Sequence, residues 1–301
     1  RKESKRLRRI VFKGAGIRLL IFLLMNKIVI SAEYFNVKDT LSCGQIFRFF
    51  PYEKGYLVTS LDKRAYAYNE GENAVIECED GDAGYFENFF DLKKDYSGIY
   101  LAAEKEGGII AESAKYGKGI RILKQNAEET LYSFIVSQNN NIPRIKGIIE
   151  KLCAACGEEK TFLGEKFYSF PKSITLAEKD ISFFYETGLG YRAPYIKRLA
   201  ENIKNGENVE EWKNLTTAEL KNKVLSVYGV GEKVADCVTL FGFNRSDSFP
   251  VDVWIEKVYR EDMRGEIKDR KKISRYLSER YGANAGYFQQ YLFYYKRERE
   301  K

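Results

Sequence analysis

A lysine, a cysteine and an aspartate carry the first chemical signal in this chain of 301 residues. They lie within residues 219–258, ELKNKVLSVYGVGEKVADCVTLFGFNRSDSFPVDVWIEKV. Lys233 follows the glycines Gly229 and Gly231 and falls in the first turn of a helix expected to begin near Glu232. The positive end of a helix dipole disfavours a cation there. A lysine held in that field and desolvated has a lowered pKa and presents a neutral amine. Cys237 follows at i+4, on the same helix face. Asp252 stands nineteen positions beyond Lys233, at the end of the extended segment FPVDV. An amine nucleophile with a carboxylate brought near by a hairpin makes a catalytic pair. Taken alone, a lysine after a glycine turn is ordinarily solvated, and an aspartate in that position ordinarily caps a helix.

The elements that must hold these residues are legible around them. A helix precedes the hairpin, with Leu220, Val224 and Leu225 at helical spacing and Thr216 and Glu219 set as a capping box. The hairpin itself, Gly229, Val230 and Gly231, exposes backbone N–H groups at a helix start, a geometry that suits a phosphate oxygen. From Arg121 onward the pattern is helical: Leu131, Phe134 and Ile135 share one stripe, and Ile145, Ile148, Ile149 and Leu152 share another. Between them QNNNIPRI forms a polar break at Pro143. TGLGYRAPYIKRLAENI reads as a glycine turn and a helix, and AGYFQQYLFYYKRERE as a final aromatic-rich helix. Upstream, IFRFF, GYLVTS, RAYAYN and AVIEC are short alternating runs separated by EKG, LDK and EGEN. They predict an antiparallel meander with one buried face, followed by a short helix around Tyr85–Phe90. The expected fold class is α+β: an N-terminal antiparallel β-sheet domain over residues 25–115, then an all-helical domain with a helix-hairpin-helix motif over residues 116–301. Residues 1–24 read as a basic and apolar extension upstream of a start at Met25, in preference to a targeting or membrane segment.

Composition narrows the chemistry. The chain has no histidine, which excludes His-based acid–base catalysis and leaves Lys, Asp, Glu, Tyr and Cys. Its five cysteines are odd in number and scattered, which suits a reducing compartment better than a disulfide framework. Cys153 and Cys156 form a CxxC, but on an amphipathic helix with no second ligand pair, so no metal centre is expected. The formal charge of +7 is uneven: residues 1–24 carry +7, residues 25–115 carry −6, and residues 116–301 carry +6. A polyanion would therefore bind the basic rear of the chain.

GVGEKVADC followed by FPVDVW resembles the helix-hairpin-helix, Gly-Pro-Asp superfamily of DNA glycosylases, and within it the 8-oxoguanine DNA glycosylases, whose motif carries both the lysine and the aspartate. The resemblance spans about residues 37 to 295. In SQNNNIPR it assigns Asn139 to the space vacated by an extruded nucleotide and Arg144 to the cytosine left opposite. In LGYRA it assigns Tyr191 as the wedge at the lesion and Arg192 as a second reader of that cytosine. An arginine fork matches cytosine's acceptors, and an aromatic ring replaces lost stacking; outside the resemblance, Tyr191 reads equally as core. LSCGQIFRF resembles the segment whose glycine carbonyl, here Gly44, accepts the N7–H that 8-oxoguanine has and guanine lacks. In GYFQQYLF, Gln289 resembles the reader of the Watson–Crick edge and Phe293 the ring beneath the flipped base, with Cys237 on its other face. Without the resemblance Phe293 reads as a core aromatic. One departure stands out: Trp254 occupies the place, two after the aspartate, where many family members have histidine.

The resemblance implies a bifunctional DNA glycosylase/AP lyase that excises 8-oxoguanine opposite cytosine from duplex DNA. Lys233 would attack C1′ and form a Schiff base while Asp252 stabilises positive charge on the sugar. Such an enzyme is expected to need no metal or organic cofactor, to act as a monomer on duplex DNA away from membranes, and to work in the cytoplasm beside the nucleoid. Two other readings use the same motif. A monofunctional alkyl-base glycosylase shares the hairpin and Asp252 but lacks a nucleophilic lysine, and a non-catalytic helix-hairpin-helix DNA-binding protein shares the hairpin alone.

Overall fold

The alternating runs between Phe47 and Cys78 pair as expected, joined by tight turns in which Glu53 (φ 44°) and Leu61 (φ 54°) take the left-handed conformation. In this computed structural model the backbone is described for residues 2–14 and 17–300 and the side chains for residues 25–300. The reading of residues 1–24 as an upstream extension rests on side chains outside that description. The strands are β1 (Lys2–Gly14), β2 (Ile17–Ser31), β3 (Phe49–Tyr52), β4 (Gly55–Ser60), β5 (Lys63–Glu70) and β6 (Asn73–Glu79), in antiparallel order β1-β2-β6-β5-β4-β3. The register sets Val58 against Ala65, Ala67 against Ile76, and Ile28 against Ile76.

Two features depart from the sequence reading. The sheet buries both faces. Ala65, Ala67, Ile76 and Ile28 pack with α1 (Val37–Ser42) and α2 (Ala83–Phe89) on one side, and Tyr66, Tyr68, Val75 and Met25 form a second cluster on the other. What covers that second face is a hairpin in the region read as helical, β7 (Glu159–Phe162) and β8 (Glu165–Tyr168), which inserts Phe162, Leu163 and Phe167. Its turn is Leu163-Gly164, both at positive φ, the requirement of a type I′ hairpin turn. Because β2 also serves both faces, IVI shows no apolar–polar alternation, and period 2 was hidden in it.

The remaining helices are α3 (Ser97–Glu106), α4 (Gly108–Tyr116), α5 (Ala127–Ser137), α6 (Ile142–Cys156), α7 (Ser173–Ala177), α8 (Ile181–Glu186), α9 (Ala193–Lys204), α10 (Thr217–Leu225), α11 (Glu232–Phe241), α12 (Val253–Lys257), α13 (Arg270–Tyr281) and α14 (Ala285–Arg299). They share one large core that takes in the predicted stripes of α5 and α6, and also Ile99, Ala103, Ile110 and Ala114 of α3 and α4. Among the described residues no helix is long and apolar enough to cross a membrane.

Two buried arginines lock sheet to helices. Arg48 pairs with Glu129 and Glu150, each at 3.3 Å, and donates to the carbonyls of Leu61 and Tyr168. Arg121 donates to the carbonyls of Tyr34, Phe90, Asp91 and Lys94. Buried charge survives only when its donors are used, and both side chains meet that condition.

Candidate active site

The hairpin is built as the glycines require. Thr216 and Glu219 form the capping box of α10, and Val230 N–H closes the turn on the Val227 carbonyl at 3.0 Å. Gly229 sits at φ +85°, and a Cβ there would meet the Tyr195 ring at 2.3 Å, so a side chain is doubly excluded. Gly231 has ordinary φ and open space around it; it caps α11 without a side chain, leaving the first-turn N–H groups free of intrahelical partners.

An ionic network that sequence reasoning missed holds α11 in place. Asp236, 3 % exposed, takes Lys221 Nζ at 2.6 Å and the Ser274 hydroxyl at 3.0 Å. Glu232 takes Lys221 at 3.3 Å and Lys271 at 2.5 Å. Burial pushes the Asp236 carboxyl above the usual carboxylate range, against the pull of Lys221. The polar residues at i and i+4 on this helix were visible in the sequence; their partners on α10 and α13 were not.

Lys233 is thereby presented from the first turn of α11, half-buried. Its Nζ lies 5.2 Å from the centre of the Phe134 ring, beside the Cys237 thiol one turn on. No carboxylate among the described residues forms an ion pair with it. Cys237 is buried, and burial pushes its thiol up to about 11 despite the neighbouring Lys233. Asp252 is the N-cap of α12 and accepts the Trp254 and Ile255 N–H groups, both at 3.0 Å. Burial raises its carboxyl above the ordinary value; the two N–H groups, Lys233 and Arg270 act in the opposite sense.

Lys233 and Asp252 stand where two cavities meet. On the outside is an open cleft of about 700 Å³, bordered by Gln138, Asn139, Gly231, Trp254 and Arg270. On the inside is a space of about 50 Å³ enclosed by Cys43, Gly44, Phe134, Cys237, Gln289 and Phe293. The inner space has room for a water molecule and not for a purine. Gly44 adopts φ +84°, and a Cβ there would lie 3.0 Å from Phe293, so ring and glycine touch. Gln289 is buried, and its Oε1 accepts Gln290 Nε2 at 2.9 Å. Gln290 lines the same space with its own Oε1 unpartnered, a polar contribution the sequence reading did not single out.

The residues expected at the DNA gather beside the cleft with one distinction among them. Asn139 is exposed at φ +44°. Arg144 is exposed and reaches the Gly188 carbonyl at 3.3 Å. Tyr191 is 49 % exposed, its hydroxyl 3.2 Å from the Gln138 carbonyl. Arg192, by contrast, is turned inward and 3 % exposed. It donates to the carbonyls of Gln138 (2.8 Å), Leu189 (3.1 Å) and Asn139 (2.9 Å). Tyr228, exposed and packed edge-on against Tyr195, extends the aromatic rim next to Tyr191. Trp254 lies along the cleft with the Lys257 ammonium 5.2 Å from its ring.

Comparison with known proteins gives this geometry its family. Residues 27–131 match the model of the 8-oxoguanine DNA glycosylase N-terminal domain, and residues 132–282 that of the HhH-GPD superfamily base excision DNA repair proteins. The N-glycosylase/DNA lyase of Saccharomyces cerevisiae is 30 % identical over 85 % of this chain and 75 % of its own length. A probable N-glycosylase/DNA lyase of Methanothermobacter thermautotrophicus is 29 % identical, covering 70 % of this chain and 73 % of its own. The crystal structure of the Clostridium acetobutylicum 8-oxoguanine glycosylase/lyase, with duplex DNA containing cytosine opposite 8-oxoguanine, superposes at a TM-score of 0.88 with 31 % identity over 99 % of both chains. The two family models together span residues 27–282, and the yeast relative and the clostridial structure match over most of their own length: the chain belongs to the 8-oxoguanine DNA glycosylases of the HhH-GPD superfamily.

Proposed function

We propose that this enzyme excises 8-oxoguanine opposite cytosine from duplex DNA and then nicks the abasic strand, with Lys233 as nucleophile. The observation that carries the reading is the position of Lys233 and Asp252 at the junction of the outer cleft and the inner cavity. Duplex DNA lies along the cleft, the hairpin 229–231 offers its N–H groups to a phosphate, and the flipped base enters the inner cavity. Lys233 Nζ, as the free amine, forms a bond to C1′ as the C1′–N9 bond breaks; the base leaves with the electron pair and takes up the proton that the new C1′-bound nitrogen sheds. Asp252, ionised and held by two N–H groups, faces the developing positive charge on the sugar. Opening of the sugar ring gives the Schiff base; loss of a C2′ proton then expels the 3′ phosphate by β-elimination.

Within the cavity Gly44 contributes the carbonyl that accepts N7–H. Phe293 and Cys237 sandwich the base, and Gln289 reads its Watson–Crick edge. Asn139 and Tyr191 fill the gap in the duplex. Arg144 and Arg192 read the estranged cytosine, for which Arg192 must exchange its backbone carbonyls for the base. The division at residues 115/116 puts Cys43 and Gly44 on one side of the pocket and the catalytic pair on the other. A cleft completed within one chain supports a monomer. Five cysteines, all free thiols, support the reducing cytoplasm, beside the nucleoid.

Lys233→Gln tests this directly. Incubated with duplexes carrying 8-oxoguanine opposite each of the four bases, the wild type releases the base, fastest opposite cytosine, and is trapped on DNA by borohydride. The variant releases nothing and is not trapped, yet binds duplex containing an abasic-site analogue. Base release by the purified variant would overturn the covalent mechanism.

A further inference from the structure

The pocket wall that must tell lesion from guanine is one residue thick, and the side chain behind it has no assigned role. Phe293 closes the inner cavity against Gly44. One helical turn on, Arg297 lies with its guanidinium carbon 5.0 Å from the centre of the Phe293 ring. Arg297 is 7 % exposed. It donates to the Ser42 carbonyl just before Gly44, and pairs with Glu298 at 3.0 Å. Its Nη1 is buried with no partner and would lie 3.4 Å from a Cβ on Gly44. Tyr294, on the same face of α14, docks on α1 through Asp39 at 2.7 Å. Beyond Gly44 and Arg297 a separate space of about 400 Å³ opens, bounded also by Lys38, Ile46 and Tyr116. Buried donors are nearly always used, so a guanidinium nitrogen left idle beside the recognition glycine marks a wall with a second working position.

We propose that Arg297 is a positioning residue for lesion recognition: stacked on Phe293 and tied to Ser42, it couples displacement of the ring to the aim of the Gly44 carbonyl. This rests on the base-excision reading above. A purine cannot enter the cavity while Phe293 rests on Gly44. The ring must withdraw, and the arginine stacked on it, which borders the space behind the wall, has to follow. Because the same guanidinium holds the Ser42 carbonyl, residues 42–44 are drawn with it, and the Gly44 carbonyl is re-aimed as the ring moves. The idle Nη1 is the donor that gains an acceptor once the wall has shifted. Arg297 touches neither sugar nor base, so its effect belongs to the excision step and not to strand nicking, which needs no base in the pocket.

The test compares two activities of one enzyme under single-turnover conditions: excision from an 8-oxoguanine·cytosine duplex, and nicking of a duplex with a preformed abasic site. Arg297→Met, which keeps the apolar stem and removes the fork, lowers excision at least tenfold and leaves nicking within twofold. Arg297→Lys, which restores the donor to Ser42 but not the planar stack, falls between. Arg297→Met with wild-type excision overturns the proposal. If Arg297→Met loses both activities, Arg297→Lys decides: parallel losses there reduce Arg297 to a structural residue, whereas loss of excision alone upholds the positioning role. A wild-type chain that nicks abasic DNA but leaves 8-oxoguanine untouched overturns the substrate reading and this inference with it.

Discussion

Asp252 is asked to do two things, and two substitutions separate them. Its Oδ1 accepts both the Trp254 and Ile255 N–H groups at 3.0 Å, while its charge faces the sugar. Asn is as good an N-cap as Asp, whereas Ala removes the cap at about 0.5–2 kcal/mol. Asp252→Asn therefore keeps α12 and loses the charge. Removing one preorganised electrostatic stabiliser typically costs about 2.7–4 kcal/mol, or roughly 10²–10³ in rate, and that is the expected fall in single-turnover excision for Asp252→Asn. Asp252→Ala loses as much activity and stability as well. Linkage adds a pH signature. Burial raises the Asp252 carboxyl above its ordinary value, so the folded chain holds this proton more tightly than the unfolded chain. The contribution favours folding below the unfolded carboxylate pKa of about 3.9 and is lost as pH rises through the raised value. Asn titrates nowhere. Urea unfolding should show Asp252→Asn gaining on the wild type as pH rises from 4 toward 7. Excision by Asp252→Asn within threefold of wild type, or a stability no better than that of Asp252→Ala, would refute the reasoning.

Two further outcomes separate surface from scaffold among the arginines. Arg144→Ala, exposed and holding one long hydrogen bond, should leave stability within about 0.5 kcal/mol and lower excision opposite cytosine more than opposite adenine, read on the four-duplex panel. Arg192→Ala should weaken the same preference and also destabilise by about 1–3 kcal/mol, because carbonyls at Gln138, Asn139 and Leu189 lose their donor; thermal unfolding distinguishes the two. Arg48→Met leaves Glu129 buried without its cation and should cost about 3–5 kcal/mol in urea unfolding, with Glu129→Gln recovering part of the loss.

What the sequence disclosed follows from how local each signal is. The capping box at Thr216 and Glu219, the glycine turn and the lysine behind it are short-range patterns, and each is found where its spacing placed it. The four strands from Phe49 to Glu79 were legible because Gly, Asn and Lys turns interrupt them. β2 was not, since an interior strand with apolar residues toward both clusters carries no alternation. The hairpin β7–β8 was masked by Lys and Glu on a short exposed ladder, and its presence is why the sheet has a second buried face. Within the site, Arg192 looked like a free reader because nothing in LGYRA says where its donors go. Two of the three carbonyls it holds, those of Gln138 and Asn139, come from a loop more than fifty residues earlier. Asp236, Gln290 and Arg297 are missing from the sequence reading for the same reason: each owes its setting to a distant element, and a lone polar residue on a helix has no spacing to betray it.

The thiol beside the nucleophile has a consequence for chemoselectivity. A C1′ carbon made electrophilic by base loss, and the open-chain aldehyde that follows, would accept sulfur as readily as nitrogen, and a thiohemiacetal would be a dead end on the path to strand scission. Cys237 touches Lys233, yet its burial pushes the thiol to about 11. At pH 7 only about one molecule in ten thousand carries it as thiolate, the form that attacks. The same desolvation that makes Cys237 a smooth wall for a base leaves the sugar facing one competent nucleophile, and shields the enzyme's own sulfur from the oxidants whose damage it would repair.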